Sequence, residues 1–363
     1  MRNLSEFRNP ELLRTLAARV RAMRVPPTAL MEVCGTHTVA IARYSLRRAL
    51  PEGVRLISGP GCPVCVTPQA QIDHFLALGR LPEVTLATFG DMLRVPGSER
   101  SLEQARAEGV EILVCYSPLD AVAAAERAPE RQVIFFGIGF ETTAPAVALA
   151  ITEAKRRNLR NFSVLAAHKL IPPALAALID SDIKVDGFIC PGHVSAIIGS
   201  DAYRPTAARG KPCVVAGFEP ADILQAIYML LQQVSEGRSE VEVEYSRVVH
   251  PEGNRKARKL MAQTFRVVDA GWRGIGVIPA SGMDLADEFA DFDAARRFTV
   301  ELPPAKEPAG CRCGDVLRGA IEPHACPLFG TACTPAHPVG SCMVSNEGAC
   351  QAHYRYRSTE GAS

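Results

Sequence analysis

The sequence carries almost no net charge: lysine plus arginine total 40 and aspartate plus glutamate 39, a formal +1. A dedicated nucleic-acid binder concentrates a basic excess on one face, and no such excess exists here. Long apolar runs are also missing. The charge-free stretches Thr142–Thr152 and Ile223–Ser235 hold 11 and 13 residues, short of the ~20 that span a bilayer. The opening MRNLSEFRNPELLRTL has no uninterrupted apolar core of the kind a secretory signal needs. These absences predict a cytoplasmic protein that engages neither nucleic acid nor membrane. Nucleotide motifs fail too: Gly210-Lys211 runs into Pro212, and the loop GIGFETT (137–143) has Thr142 where a dinucleotide turn needs its third glycine. The pair Cys62-x-x-Cys65 has no second copy, so it is only half of a zinc site. A deaminase is excluded because His250-Pro251-Glu252 follows that pair instead of preceding it.

What is present is an ordinary globular balance, 47% apolar and 22% charged over 363 residues, enough chain for two or three domains. Apolar, β-rich runs alternate with helical patterns. Strands are expected at Ala29–Val33, Val54–Ser58, Val84–Phe89, Glu111–Tyr116, Gln132–Phe136, Phe162–Ala166, Val185–Cys190, Cys213–Ala216 and Ile275–Pro279. Helices are expected between them, among others at His37–Leu50, Thr143–Arg157 and Ala221–Val234. This alternation predicts an α/β protein with two small doubly wound, Rossmann-like parallel sheets. The expected division is residues 1–160, residues 161–300, and a cysteine-rich region 301–363 behind the linker LPPAKEPAGCRCG. That last region has too few aliphatics for its own core, so cysteine–metal bonds are expected to hold it. The phrases CGTH (34–37), GPGCPVC (59–65), GIGFETT, CPGHVS (190–195) and GFEP (217–220) each follow an expected strand. Loops in that position converge on one crevice in open α/β sheets.

Six of the twelve cysteines fall between Cys311 and Cys350. In a reducing compartment, clustered thiols point to metal ligation or catalysis and not to structural disulfides. Cys34 sits at a strand end just before a helix, where the helix dipole and His37 are expected to favour its thiolate; a buried structural cysteine is the competing reading. Cys62 and Cys65 read as a redox or iron-binding pair. The tail spacing Cys311-x-Cys313-x12-Cys326-x6-Cys333-x8-Cys342-x7-Cys350 suits a four-thiolate 4Fe-4S site better than zinc. Read as one extended segment, Cys311 and Cys313 lie on the same face and both could reach one cluster, so geometry leaves them undivided. Glu141 reads as a solvated helix-start carboxylate, and His168 and His193 as hydrogen-bonded structural histidines at strand ends. Cys115 and Cys213 read as core, with Cys190 open to the crevice.

CGTH, GPGCPVCVTP, GFETTAP, DGFICPGHVS, VVAGFEP and CPLFGTACTPAHPVGSCMVSNEGAC together resemble the HypD family of hydrogenase maturation proteins, from about residue 31 to residue 356. The resemblance implies a role in building the iron centre of nickel-iron hydrogenases, in which iron carries two cyanides and one carbon monoxide. It implies a HypC-type small chaperone and a HypE-type cyanide donor as partners, with the chain a monomer within that hetero-complex. Cys34 would hold the iron with a cysteine of the chaperone, Cys62 and Cys65 would be the redox pair beside it, and the tail would bind a 4Fe-4S cluster. The tail also resembles the cluster motif of ferredoxin:thioredoxin reductase, which favours Cys311 as a ligand. Cys326 and Cys333 bracket a compact loop, and the family phrase EGAC favours Cys350. Cys313 and Cys342 would then form a second thiol pair. Two other functions remain open: a cluster-dependent thiol–disulfide reductase acting on a protein, and a zinc-stabilised interaction module.

Overall fold

The computed structural model describes residues 7–360. Twelve strands follow in chain order among them: β1 (Thr28–Glu32), β2 (Val54–Ser58), β3 (Val84–Phe89), β4 (Ile112–Cys115), β5 (Gln132–Gly137), β6 (Phe162–Ala166), β7 (His168–Lys169), β8 (Gly187–Pro191), β9 (Cys213–Ala216), β10 (Val241–Val243), β11 (Phe265–Trp272) and β12 (Gly276–Leu285). The first sheet has the order β10-β9-β8-β1-β2 and the second β4-β3-β5-β6, and every pairing in both is parallel. The central strands are buried along their full length, β1 and β8 without an exposed residue. They therefore read as continuous apolar runs and not as alternating ones. Helices cover the faces. Pro10–Arg21 lies against Pro220–Glu236, and Ala144–Arg156 against Pro118–Arg127. Phe75 and Phe136 stack 4.6 Å apart in the largest core cluster. Truncating either to alanine is expected to cost about 3–5 kcal/mol.

The α/β class is as expected, but the strands are not distributed as the division at residue 160 requires. The first sheet takes β1 and β2 from the start of the chain and β8 to β10 from residues 187–243, with the second sheet inserted between them. A run of alternating elements does not encode which sheet each strand joins. A second correction concerns Ile275–Pro279. It belongs to β12 of an antiparallel hairpin with β11, which β7 extends. β11 escaped notice because its FRVVDAGW is mostly exposed along its middle and shows neither a continuous nor an alternating apolar pattern. The tail is not self-contained either. Cys313, Val316, Leu317, Cys333, Cys342, Met343 and Cys350 share one core cluster with Val33, Cys62 and Cys65, and helix Ala349–Glu360 packs on helix Gly35–Arg43. Apolar burial against the first sheet supplies the support that the tail's own composition lacks.

Each parallel sheet reverses its winding once. From β1 the chain moves outward to β2, whereas β8, β9 and β10 build in the other direction, so the switch lies between β1 and β8. In the second sheet it lies between β3 and β5. Crevices at such points, beyond the carboxyl ends of the strands, are the usual ligand sites of open α/β sheets.

Candidate functional site

Cys34 and His193 stand at the first switch point, directly after β1 and β8. Cys34 is extended (φ −153°, ψ 122°) and occupies the N-cap of helix Gly35–Arg43 without using its side chain to cap it. Its buried sulfur lies 4.0 Å from His193 Nδ1, and the Thr36 and His37 N–H groups at the helix start favour its thiolate without outweighing burial. The Cys34 N–H donates to Glu32 Oε2 at 3.0 Å, and the Thr38 hydroxyl donates to the other oxygen of the same carboxyl. Burial pushes Glu32 up to about 7. Burial also pushes the Cys34 thiol upward, and the nearby Glu347 carboxylate adds to this. The dipole of the following helix does not outweigh that desolvation, so the thiolate expected here is not favoured by the protein alone.

The help expected from His37 is likewise missing. Its Nε2 donates to the Gly217 carbonyl at 2.8 Å, and burial lowers it to about 4, so the ring is neutral at pH 7. His37 and His193 instead flank Phe218, each with its ring centroid 5.0 Å from that of the phenyl group. Burial lowers His193 to about 4 as well.

The Cys62 loop is laid directly on Cys34. Gly59 N donates to Glu32 O at 2.8 Å and Gly35 N to Gly61 O at 3.0 Å. A Cβ on Gly61 would fall 2.1 Å from Cys34 N, so only glycine permits this approach of backbone to backbone. Cys62 then caps the short helix Pro63–Val66, accepting from Cys65 N at 3.2 Å, with Pro63 pre-set for the first turn. Cys62 and Cys65 are joined as a disulfide and are buried. In that state neither sulfur can ligate a metal; both roles expected of the pair require its reduction.

All six tail cysteines line one apolar cavity, together with Leu328, Phe329, Gly340 and Met343. Arg312 is not extended (ψ 24°), and Cys313 opens helix Cys313–Arg318. The extended-segment picture of Cys311 and Cys313 is therefore wrong, although their sulfurs do meet. Hydrogen bonds from Cys311 and Cys342, with the Arg273 charge nearby, hold Cys313 well below the ordinary thiol range. Cys342, which also contacts Cys350, is pushed up. A Cβ on Gly340 would stand 2.6 Å from Cys311 Sγ. Among the described residues, no three His, Cys, Asp or Glu side chains gather closely enough for a single metal ion.

Two tail residues join this cavity to the crevice. Ser341 Oγ donates to the Cys65 carbonyl at 3.2 Å and lies 3.7 Å from Cys313 Sγ, while Cys65 Sγ is 3.9 Å from the Ser341 carbonyl. Glu347 accepts from the Thr36 hydroxyl at 2.7 Å and packs so closely on Gly35 that a Cβ there would fall 2.4 Å from its own. Sequence reasoning missed both, along with Glu32 and Arg273. Glu32 had a visible signal, a lone carboxylate in the apolar ALMEVC. Ser341 and Glu347 had only their place beside Cys342 and Cys350, and Arg273 had none.

Other expectations need correcting. Glu141 is not solvated: it is 1% exposed, accepts from Ile171 N at 3.0 Å, and is pushed up to about 7 by burial. His168 is buried with neither ring nitrogen hydrogen-bonded, and burial lowers it to about 3. Cys190 faces the core, where its sulfur meets that of Cys213.

The fold and site define an α/β protein with a thiol–imidazole crevice at a topological switch point, stapled to a six-cysteine cavity. The sequence profile of the HypD family, described as Hydrogenase formation hypA family, matches residues 11–357. The Hydrogenase maturation factor HypD of Azotobacter vinelandii is 49% identical over 367 residues, covering 98% of this chain and 97% of that protein. That of Escherichia coli (strain K12) is 45% identical over 370 residues, covering 99% of each, and the Hydrogenase expression/formation protein HupD of Azotobacter chroococcum is 49% identical over 367. The chain belongs to the HypD family of hydrogenase maturation factors.

Proposed function

We propose that this protein is the scaffold on which the iron of a nickel-iron hydrogenase receives two cyanides and one carbon monoxide, in the cytoplasm and in complex with a HypC-type chaperone and a HypE-type cyanide donor. The observation that carries the reading is the Cys34 sulfur at the first switch point, adjacent to His193 and the Cys62 loop. Iron is the cargo. A thiolate is a suitable anchor for low-valent, soft iron, and iron binding would supply the driving force for deprotonation that the buried pocket withholds. His193 Nδ1, 4.0 Å from the Cys34 sulfur and kept neutral by burial, would accept a hydrogen bond from the thiol and not retain its proton. No helix among the described residues is long and apolar enough to cross a membrane.

The chemistry of the tail's donors supports a 4Fe-4S cluster there. These donors are thiols only, they line one apolar cavity, and the absence of a Cβ at Gly340 admits the Cys311 sulfur to it. Cys311, Cys326, Cys333 and Cys350 would hold the cluster, and it would supply electrons. The contact of Cys313 with Cys342, and of Cys313 with Ser341 beside Cys65, supports a thiol pair standing between cluster and crevice.

The test is infrared spectroscopy of the anaerobically purified complex with the small chaperone. Cyanide and carbon monoxide bands are expected, and Cys34→Ala should abolish them while leaving iron–sulfur absorption unchanged. Bands of normal intensity in that variant refute the assignment. The Ser341 staple between disulfide and tail also favours a second reading, a cluster-dependent disulfide reductase. That reading gains if the bands are absent and the pair is reduced when the cluster is.

A further inference from the structure

The turn joining β11 to β12 is wedged between the Cys62–Cys65 helix and the tail. On one side Arg273 reaches the residues just past Cys65: its N–H donates to Val66 O at 2.9 Å, Nε to Thr67 O at 3.0 Å and Nη2 to Gln69 Oε1 at 3.0 Å. On the other side Gly274 touches Gly314, the neighbour of Cys313, so closely that a Cβ on Gly274 would fall 2.1 Å from Gly314 Cα. Trp272 anchors the turn from behind, stacked 6.0 Å from Phe140 and donating Nε1–H to Ser281 Oγ at 2.8 Å.

Arg273 is 4% exposed. Hiding a guanidinium is costly unless counter-charge compensates it. The hydrogen-bond acceptors named above are neutral amides. Its carboxylate partner, Glu307, stands 3.4 Å away with a side chain 61% exposed, where water screens its charge. The Arg273 charge is therefore held against the chain two to four residues past the disulfide, with Cys313, which it helps to hold below the ordinary thiol range, as its other neighbour. Breaking that disulfide takes two electrons; it leaves one thiolate and one thiol if one proton is taken up, or two thiols if two are. A fixed positive charge stabilises the thiolate-bearing product and not the uncharged disulfide.

We propose that Arg273 is a positioning residue of the Cys62–Cys65 pair, which locks the pair against the tail cysteines and makes it easier to reduce. The inference rests on the pair being redox-active, and the two can fail separately. The full-length protein, equilibrated anaerobically in dithiothreitol buffers and alkylated, gives the midpoint of the pair. The dithiol reagent gives up two electrons and two protons as it closes to its cyclic disulfide. If the parent pair shows no two-electron transition, the redox reading and this inference fall together. If it does, Arg273→Gln should lower the equilibrium constant for reduction about tenfold, about 30 mV, and Arg273→Lys should recover most of the loss. A folded Arg273→Gln protein that titrates with the parent overturns the inference alone. Glu307→Gln, at an exposed site that does not endanger folding, should shift the constant the opposite way, about twofold at low salt. Should Arg273→Gln not fold, an unchanged midpoint in Glu307→Gln overturns the inference.

Discussion

Two crevices of this molecule share a topological origin and differ in chemistry. In the first sheet the switch between β1 and β8 presents Cys34, His193 and, across the Gly61 contact, the Cys62–Cys65 pair. In the second, the loop after β5 at the β3–β5 switch presents Glu141, at the wall of an apolar cavity of about 360 Å³ lined by Leu170, Pro172, Phe265 and Met283. Both bury a carboxyl group that is pushed up to about 7, Glu32 in one and Glu141 in the other. The tail meets the first through Ser341 and Glu347, and at the second it reaches the loop after β3, where Arg94 donates to Pro335 O at 2.9 Å. Winding order creates a place for a site, and the residues delivered there decide whether it holds a thiol chemistry or an apolar hollow.

That contrast breaks most sharply if the two crevices are altered in parallel. Cys34→Ala is expected to remove the cyanide and carbon monoxide bands entirely, and Glu141→Gln to leave them, measured on the same chaperone complex. Loss of the bands in both would make the second crevice part of the assembly chemistry.

Packing comes next. Gly61→Ala forces a methyl group onto Cys34 N and is expected to cost about 1–3 kcal/mol of stability. It should also weaken the bands, because the Cys62 loop must lift from Cys34. Denaturant unfolding and infrared spectra measure the two effects. Gly109→Ala is the contrasting variant: its φ is left-handed (+101°), unlike that of Gly61, but a Cβ would meet nothing within 4 Å. It should cost backbone strain of roughly 1 kcal/mol and leave the bands unchanged.

The smallest effects are in pH. Unfolded Glu141 ionises above about 4.5, whereas the folded protein keeps its proton to about 7. Stability therefore falls as pH rises through that window, by about 1 kcal/mol per unit at most for this group, and Glu141→Gln should remove its share of the slope, leaving that of Glu32. His168 acts with the opposite sign. Unfolded, it takes a proton below 6.5, but the folded protein resists protonation down to about 3, so stability falls as pH drops between them. His168→Leu should make the acid limb shallower, leaving the shares of His37 and His193, which burial lowers to about 4. Thermal unfolding of each variant beside the parent separates two slopes that partly cancel where their windows overlap.

The strand ends carrying CGTH, GPGCPVC and CPGHVS were legible in the sequence because buried parallel strands are continuous apolar runs, and loop residues that carry chemistry interrupt them abruptly. The six tail cysteines announced a common site by density alone, and all six do line one apolar cavity. The pairing of β1 with β8 was not legible, because parallel partners lie some 150 residues apart and local pattern carries no address. Nor were the states of Cys34, His37 and Glu141. The sequence placed a thiol at a helix start and a carboxyl before a helix; whether dipole or desolvation wins depends on how much protein closes over them, and folding closed over all three. Arg273 shows the same division. In GWRGIG it is one more turn residue, and it acquires a role only when the hairpin tip is pressed between Val66–Gln69 and Gly314, segments that nothing local relates to it.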